Sequence, residues 1–336
     1  MNLLQRVYLR LHTRKFRQRA MQAWHHPRAR VISIGNLSAG GTGKTPLGML
    51  LAATALQQGL LTTVLLRGYK AKLSRGGALV RDYKQSSPTE MDASTVGDEA
   101  LLFASIPGLQ VLIGRNRQHA LVNWSADSDL VILDDAFQNP SVARDFDIVL
   151  IDASLAVTEL SLLPCGKFRE PIQALSRADC IVLTRCDQAD LIQIQEWREQ
   201  IYKVAKQCPV FQSNHRFGGV YSIATQRKLS VSWSRPVVLL AGIGNPLAFR
   251  KTMQQAGFAI EDTVWLKDHE LPRPDFLQSL ASRYGDTPIV MTEKDYVRLR
   301  PLLGQSTLRA NRFFYSKIEI AMQNQKEFLE RALGNN

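Results

Sequence analysis

Residues 38–45 read SAGGTGKT, between a β-branched run at 30–35 (RVISIG) and a helical pattern running from Lys44 to about Gln58. Small residues at this spacing let backbone N–H groups close around phosphates at a helix N-terminus. The phosphate-loop pattern G-x-x-x-x-G-K-[ST] is met at Gly43, Lys44 and Thr45, with Ser38 in the leading place. Ser38, Ala39, Gly40, Gly41, Thr42, Gly43, Lys44 and Thr45 therefore form the expected nucleotide site. Lys44 would neutralise phosphate charge there and Thr45 would ligate Mg²⁺. Membrane-partitioning ATPases carry an extra lysine where this chain has Ala39, so that subclass loses weight.

Carboxylates and arginines at other strand ends extend the chemistry. LVILDD (130–135) closes a buried strand on Asp134 and Asp135, where a phosphate-loop enzyme places its Mg²⁺-side acids; helix capping is the plainer alternative. VGDEA sets Asp98 and Glu99 at the start of a helix, and on local sequence alone they read as caps. Arg67 follows the strand at 62–66, and Arg115 and Arg117 follow the one at 111–113. In doubly wound sheets those ends carry the site, so the three arginines suit anionic substrate groups, against solvated surface charge. LPCGKFREP (163–171) is a Pro- and Gly-punctuated loop holding Lys167, Arg169 and Glu170. DHE (268–270) places His269 beside two acids. LTRCD (183–187) faintly resembles the guanine-reading motif of GTPases, with Arg185 replacing the usual lysine.

The elements that must position these residues alternate strand and helix. Hydrophobic runs at 62–67, 130–135, 147–152 and 180–184 read as strands buried on both faces, hence a mostly parallel sheet covered by helices. Between them, 68–95 is a polar excursion expected to contain a hairpin at ALVRDYK, and a helix is expected over 116–126. The texture turns to alternating β sequence at 211–234, read as a linking hairpin. PVVLLAGIGNP then opens a second αβ unit, with strands expected near 260–265, 288–292 and 312–315. The organisation expected is a basic helix (1–29), a phosphate-loop core (30–210), a β linker (211–234) and a smaller C-terminal αβ domain (235–336) closing over the site.

Composition narrows the class. The chain has 336 residues, 45% hydrophobic and 21% charged, which excludes wholesale disorder. No stretch reaches the ~18 apolar residues that a spanning helix needs. The four cysteines lack CxxC spacing and His neighbours, which excludes a structural zinc site and reads as reduced thiols in a cytosolic protein. The net charge of +12 is uneven: residues 1–30 hold eight cations and no acid, while the other 306 hold 34 cations and 30 acids. In that segment Leu3, Leu4, Val7, Tyr8, Leu11 and Phe16 fall at helical spacing among the arginines. Such a helix can lie in a membrane interface, pack on the body, or meet nucleic acid.

Taken together, the segments resemble the tetraacyldisaccharide 4'-kinases of lipid A biosynthesis. The resemblance rests on IGNLSAGGTGKTP (34–46), LLRGY (65–69), VGDEA (96–100), GRNR (114–117), LDDAFQNP (133–140), LPCGKFREP (163–171), TRCD (184–187), AGIGNP (241–246), DHE (268–270) and MTEKD (291–295), in family order. It implies an α/β phosphate-loop kinase that moves the γ-phosphoryl group of ATP to the 4'-hydroxyl of a tetraacyldisaccharide 1-phosphate, with Mg²⁺. The reaction would take place at the cytoplasmic face of the bacterial inner membrane, with the enzyme peripheral there. It also implies Asp98 as general base assisted by His269. Thr45, Asp134, Asp135 and Glu170 would lie on the metal side, with Arg169 beside them. The amphiphilic substrate favours the membrane reading of the leading helix, with no nucleic acid and no protein partner. The chain departs from the family at Ala136 and Asn139, where DDGFQH is usual, and at Glu270, where a second histidine is common. The rival reading is a phosphate-loop GTPase or ATPase switch acting on a protein or metal partner.

Overall fold

The computed structural model describes residues 2–38, 40–85, 91–229, 235–267, 270–304 and 310–334. The chain opens with helix α1 (Leu3–Met21) and continues with β1 (Arg30–Asn36), α2 (Lys44–Gln57), β2 (Thr62–Leu66), β3 (Ala78–Arg81), α3 (Ala93–Val96) and α4 (Asp98–Ala104). Next come β4 (Gln110–Ile113), α5 (Arg117–Trp124), β5 (Leu130–Asp134), β6 (Phe146–Asp152), β7 (Cys180–Thr184), α6 (Leu191–Val204) and β8 (Val210–Ser222). The C-terminal part holds β9 (Val237–Ala241), α7 (Pro246–Gln255), β10 (Ile260–Trp265), α8 (Phe276–Tyr284), β11 (Ile289–Thr292), α9 (Glu293–Gly304), β12 (Phe313–Met322) and α10 (Gln325–Leu333).

The strands form a single mixed, mostly parallel sheet of twelve in the order β10-β9-β11-β12-β8-β7-β6-β1-β5-β2-β4-β3. Its central strands carry mainly apolar runs because both faces are covered. Ile32 and Ile34 pack on Leu47 and Leu51 of α2, while Val31, Val131 and Leu133 face Leu121 of α5. The stretch expected to make its own hairpin instead adds β3 antiparallel to β4, with Ala78 opposite Ile113. A short edge strand is served as well by a sequence-distant partner as by its own return, and local sequence does not distinguish the two.

The linking segment is a 13-residue strand shared by both halves, with a brief return where Tyr221 pairs with Lys228. Its first residues run parallel to β7, with Gln212 opposite Leu183; the rest run antiparallel to β12, from Ser213–Met322 to Ser222–Phe314. This register has a consequence for the site. β12 heads back toward the edge where β7 ends, and β11 and β9 run with it. The carboxyl ends of both sets of strands therefore converge on one edge. Strand carboxyl ends are where α/β sheets bind ligands.

The two halves also share a core. Val297 of α9 and Phe328 and Leu333 of α10 are buried in the cluster that holds Phe103 of α4 and Leu51 of α2. Among the described residues, no helix is long and apolar enough to cross a membrane.

Candidate active site

The phosphate loop leaves β1 at Asn36 and enters α2 at Lys44. Gly43 has φ +91° and caps α2 without a side chain, so the first-turn N–H groups are left to a ligand. Asn36 is fully buried; its Nδ2 donates to the Ser38 carbonyl at 2.7 Å and its Oδ1 accepts from Lys44 Nζ at 3.3 Å. A buried asparagine in an apolar strand is thus the staple of the loop. Pro46 sits in the first turn of α2, where its missing N–H costs nothing.

Packing below the loop is equally specific. Thr184 donates to the Thr42 carbonyl at 2.9 Å, and Arg185 bridges the Gly41 carbonyl and the Asp152 carboxylate. The LTRCD segment therefore braces the loop in this structure. His215 of β8 lies against Gly43, where a Cβ would come within 2.9 Å of its Nε2. That nitrogen is buried without a hydrogen-bond partner, and burial, reinforced by Arg185, lowers the imidazole to about 4.

Adjacent acids at the end of β5 have opposite environments. β1 pairs directly with β5, Ile34 opposite Asp134, which sets the carboxylates beside the phosphate loop. Asp134 is buried, with no hydrogen-bond partner on Oδ1; burial and the Glu99 carboxylate push it up to about 7 against the pull of Lys44. Burial alone would raise Asp135 too, but Lys44 at 3.5 Å and Arg169 at 2.9 Å outweigh it and hold that carboxyl below its usual range. Asp135 also has φ +47°. Arg117 Nη2 supports this strained corner by donating to the carbonyls of Asp134 and Asp135, each at 2.9 Å. Gly35 permits the close approach, since a Cβ there would lie 2.4 Å from that of Phe137.

The sequence-derived candidates separate accordingly. Arg117, expected to meet substrate phosphate, is 3% exposed and spent on the acidic corner; burial lowers its guanidinium to about 10. Arg67 and Arg115 are exposed at the ends of β2 and β4. Glu170 is not gathered with the other metal-side acids. Arg177 holds its two oxygens at 3.0 and 2.9 Å and Gln138 donates to it at 3.1 Å. Asp98 is buried at the first turn of α4, and Lys294 Nζ reaches to 3.7 Å from its Oδ2. Ala39 and His269 lie outside the described residues. Among the described residues, no three His, Cys, Asp or Glu side chains converge as a metal cluster. Mg²⁺ is commonly bound through one or two carboxylates, waters and substrate phosphates rather than a protein cage. The bare Oδ1 of Asp134 beside the phosphate loop is the donor such an ion would need.

Sequence reasoning assigned no roles to Asn36, Gln138, Arg177 or Lys294. All but Arg177 had a signal, a polar residue amid a buried apolar run or inside a quoted motif. The N-terminal helix also reaches the site: Tyr8 donates to the Arg169 carbonyl at 2.9 Å, and the Arg177 guanidinium lies 4.4 Å above the Phe16 ring.

The family model described as tetraacyldisaccharide-1-P 4'-kinase matches residues 1–335. A tetraacyldisaccharide 4'-kinase of Syntrophus aciditrophicus is 35% identical over 318 residues, covering 89% of this chain and 82% of the relative. One from Desulfotalea psychrophila is 32% identical over 293 residues, covering 84% and 82%. A crystal structure of LpxK from Aquifex aeolicus in complex with ATP superposes with a TM-score of 0.73 at 23% identity, covering 98% of this chain and 96% of that one. It shares the fold. On the family match across the whole chain, and on relatives that agree over more than four-fifths of it, the chain belongs to the tetraacyldisaccharide 4'-kinase family.

Proposed function

We propose that this kinase transfers the γ-phosphoryl group at the edge between the phosphate loop, Asp134 and Asp98. The observation that carries the reading is the bare, buried Oδ1 of Asp134 next to an Asp135 already neutralised by Lys44 and Arg169. Phosphoryl transfer needs positioning and charge stabilisation more than covalent chemistry. The residues of 38–45 cradle the ATP phosphates, and Lys44 offsets their charge. Thr45 and Asp134 would hold Mg²⁺, which when bound would neutralise charge developing on the phosphoryl oxygens. Asp135 and Glu170 act one step back: Asp135 fixes Lys44, and Glu170 fixes the loop that carries Arg169. Asp98 accepts the proton of the 4'-hydroxyl, assisted by His269, so that a poor nucleophile is activated as it attacks. Arg67 and Arg115, exposed at neighbouring strand ends, meet anionic groups of the disaccharide 1-phosphate.

The lipid character of the substrate gives α1 its role. Leu3, Leu4, Val7 and Leu11 are 48–76% exposed, while the buried residue of this helix is the polar Gln5. An apolar stripe left outside a docked helix, among arginines, suits a peripheral seat on an anionic leaflet, the cytoplasmic face of the inner membrane. The smaller C-terminal domain, residues 235–336, serves as the unit that covers the site.

The test is transfer of radiolabelled γ-phosphate from Mg²⁺-ATP to a tetraacyldisaccharide 1-phosphate in mixed micelles, for wild type and Asp98→Ala. Labelled bisphosphorylated lipid from wild type should fall about a hundredfold or more in the variant. Undiminished transfer by Asp98→Ala would remove the base assignment and leave the kinase.

A further inference from the structure

We infer that Lys294 is a positioning residue for the base, supplied across the site by the C-terminal half of the chain. The inference rests on the reading of Asp98 as the base, and it starts from a charge in the wrong place. Lys294 is the second residue of α9. A helix N-terminus is the positive end of the dipole, so an ammonium there is disfavoured unless acids outside the helix hold it. Both acids come from the other half: Lys294 Nζ lies 3.7 Å from Asp98 Oδ2 and 3.7 Å from Glu99 Oε1, at the first turn of α4. Those acids suit the dipole of their own helix, and Lys294 suits only them.

The residues beside Lys294 are fixed within the C-terminal half, and this aims the lysine. Glu293 pairs with Lys317 of β12 at 2.9 Å. Asp295, fully buried, accepts from the Gly242 N–H at 3.1 Å and from Thr292 Oγ1 at 2.6 Å, and pairs with Arg298. Lys294 is left to reach outward. Its ammonium is shared between two carboxylates and locks neither at hydrogen-bond distance. Asp98 Oδ1 meanwhile accepts from the Glu99 N–H at 3.0 Å, which fixes the rotation of the carboxylate. Lys294 thus holds the Oδ2 side of Asp98 by charge, an influence present only while α9 is docked on α4. The antiparallel register of β8 and β12 makes this reach geometric, because it turns the ends of β11 and β4 toward the same edge.

A double-mutant cycle on the intact enzyme tests this with the micelle transfer assay. Lys294→Met should lower kcat on the order of tenfold with the KM for ATP unchanged, and Lys294→Arg should restore most of the rate. In the residual activity of Asp98→Asn, Lys294→Met should cost nothing further, since the lysine acts through the carboxylate. Thermal melts of each variant provide the check on folding. A rate within twofold of wild type for Lys294→Met, with Asp98→Asn impaired, would overturn the inference and leave the base standing. Equal losses in both backgrounds would also overturn it, making Lys294 an independent contributor. Full activity of Asp98→Asn would instead remove the base assignment, and this inference with it.

Discussion

Helix α1 and the β11–α9 corner reach the same strand edge from opposite ends of the chain, α1 at the loop after β6 and α9 at Asp98 beside β4. Their attachments differ in kind. α9 is held by Asp295 and Arg298, an ion pair within the helix that accepts from the Gly242 N–H and donates to the Gly242 carbonyl, and it drives Val297 and Leu299 into apolar cores. α1 attaches mainly through the polar side chains of Gln5 and Tyr8, packs only Leu9 against a core cluster, and leaves Leu3, Leu4 and Leu11 outside. An element that belongs to the core spends its apolar residues on the core. α1 leaves most of them exposed, and it is tethered to the Arg169–Glu170 loop mainly by polar contacts. One attachment is therefore built into the core, and the other leaves an apolar stripe exposed, which the proposed membrane seat would use.

The sharpest way to break that contrast is at α9. Asp295→Ala should destabilise the fold by about 3–5 kcal/mol, because it strands the Arg298 guanidinium, 2% exposed, without its counter-charge. Denaturant melting would measure it. A loss below about 1 kcal/mol would mean that α9 is held as lightly as α1.

The seam between the halves responds to pH. His215 on β8 has its folded value lowered to about 4 from an ordinary 6.5, mainly by burial. Below 6.5 the unfolded chain takes up a proton that the native ring refuses. Stability from this group is therefore complete above 6.5 and is lost as the pH falls toward 4, up to about 3 kcal/mol in all. His215→Gln should flatten the stability curve over that window by one proton's slope. Parallel curves for wild type and variant would show that the imidazole is not shielded behind the phosphate loop.

At α1 the expected effect is smaller and local. Gln5 Nε2 donates to Ser161 Oγ at 2.9 Å and to the Leu162 carbonyl at 3.0 Å, the latter buried. Gln5→Ala should loosen the helix by about 1–2 kcal/mol while the global melt barely moves. Amide hydrogen exchange should quicken along α1 and not in β1 or β5. Equal quickening in all three would make α1 part of the core.

Sequence periodicity revealed most of this architecture and little of the wiring. The central strands were legible because burial on both faces leaves continuous apolar runs, as in CIVLT and LVILD. The expected hairpin at ALVRDYK gave way to a β3–β4 pair because pairing partners distant in sequence leave no local trace. At the site, residue types marked Lys44, Asp134 and Asp135 as a phosphate-binding set. They did not reveal that Asp135 would be neutralised while Asp134 stayed bare, since that depends on where Arg169 and Arg117 arrive in space. Lys294 was unreadable as a partner of Asp98, because almost two hundred residues and a reversed strand direction separate them.

The smallest effect bears on what the exposed side of α1 is for. Leu4 is 62% exposed, about 100° around the helix from the buried Gln5. If that stripe seats in a leaflet, Leu4→Ser removes apolar area that water never left in the free protein, so stability in solution should stay within about 0.5 kcal/mol of wild type. On anionic vesicles the same change forfeits part of the 1.5–3 kcal/mol that burying a leucine contributes, roughly a three- to tenfold loss of binding in a flotation assay. Raising the salt should weaken both proteins alike, because the arginines are untouched and their attraction is screened. The combination discriminates. A variant that melts lower and floats normally would put Leu4 in a protein contact, and α1 would then join α9 as a core element.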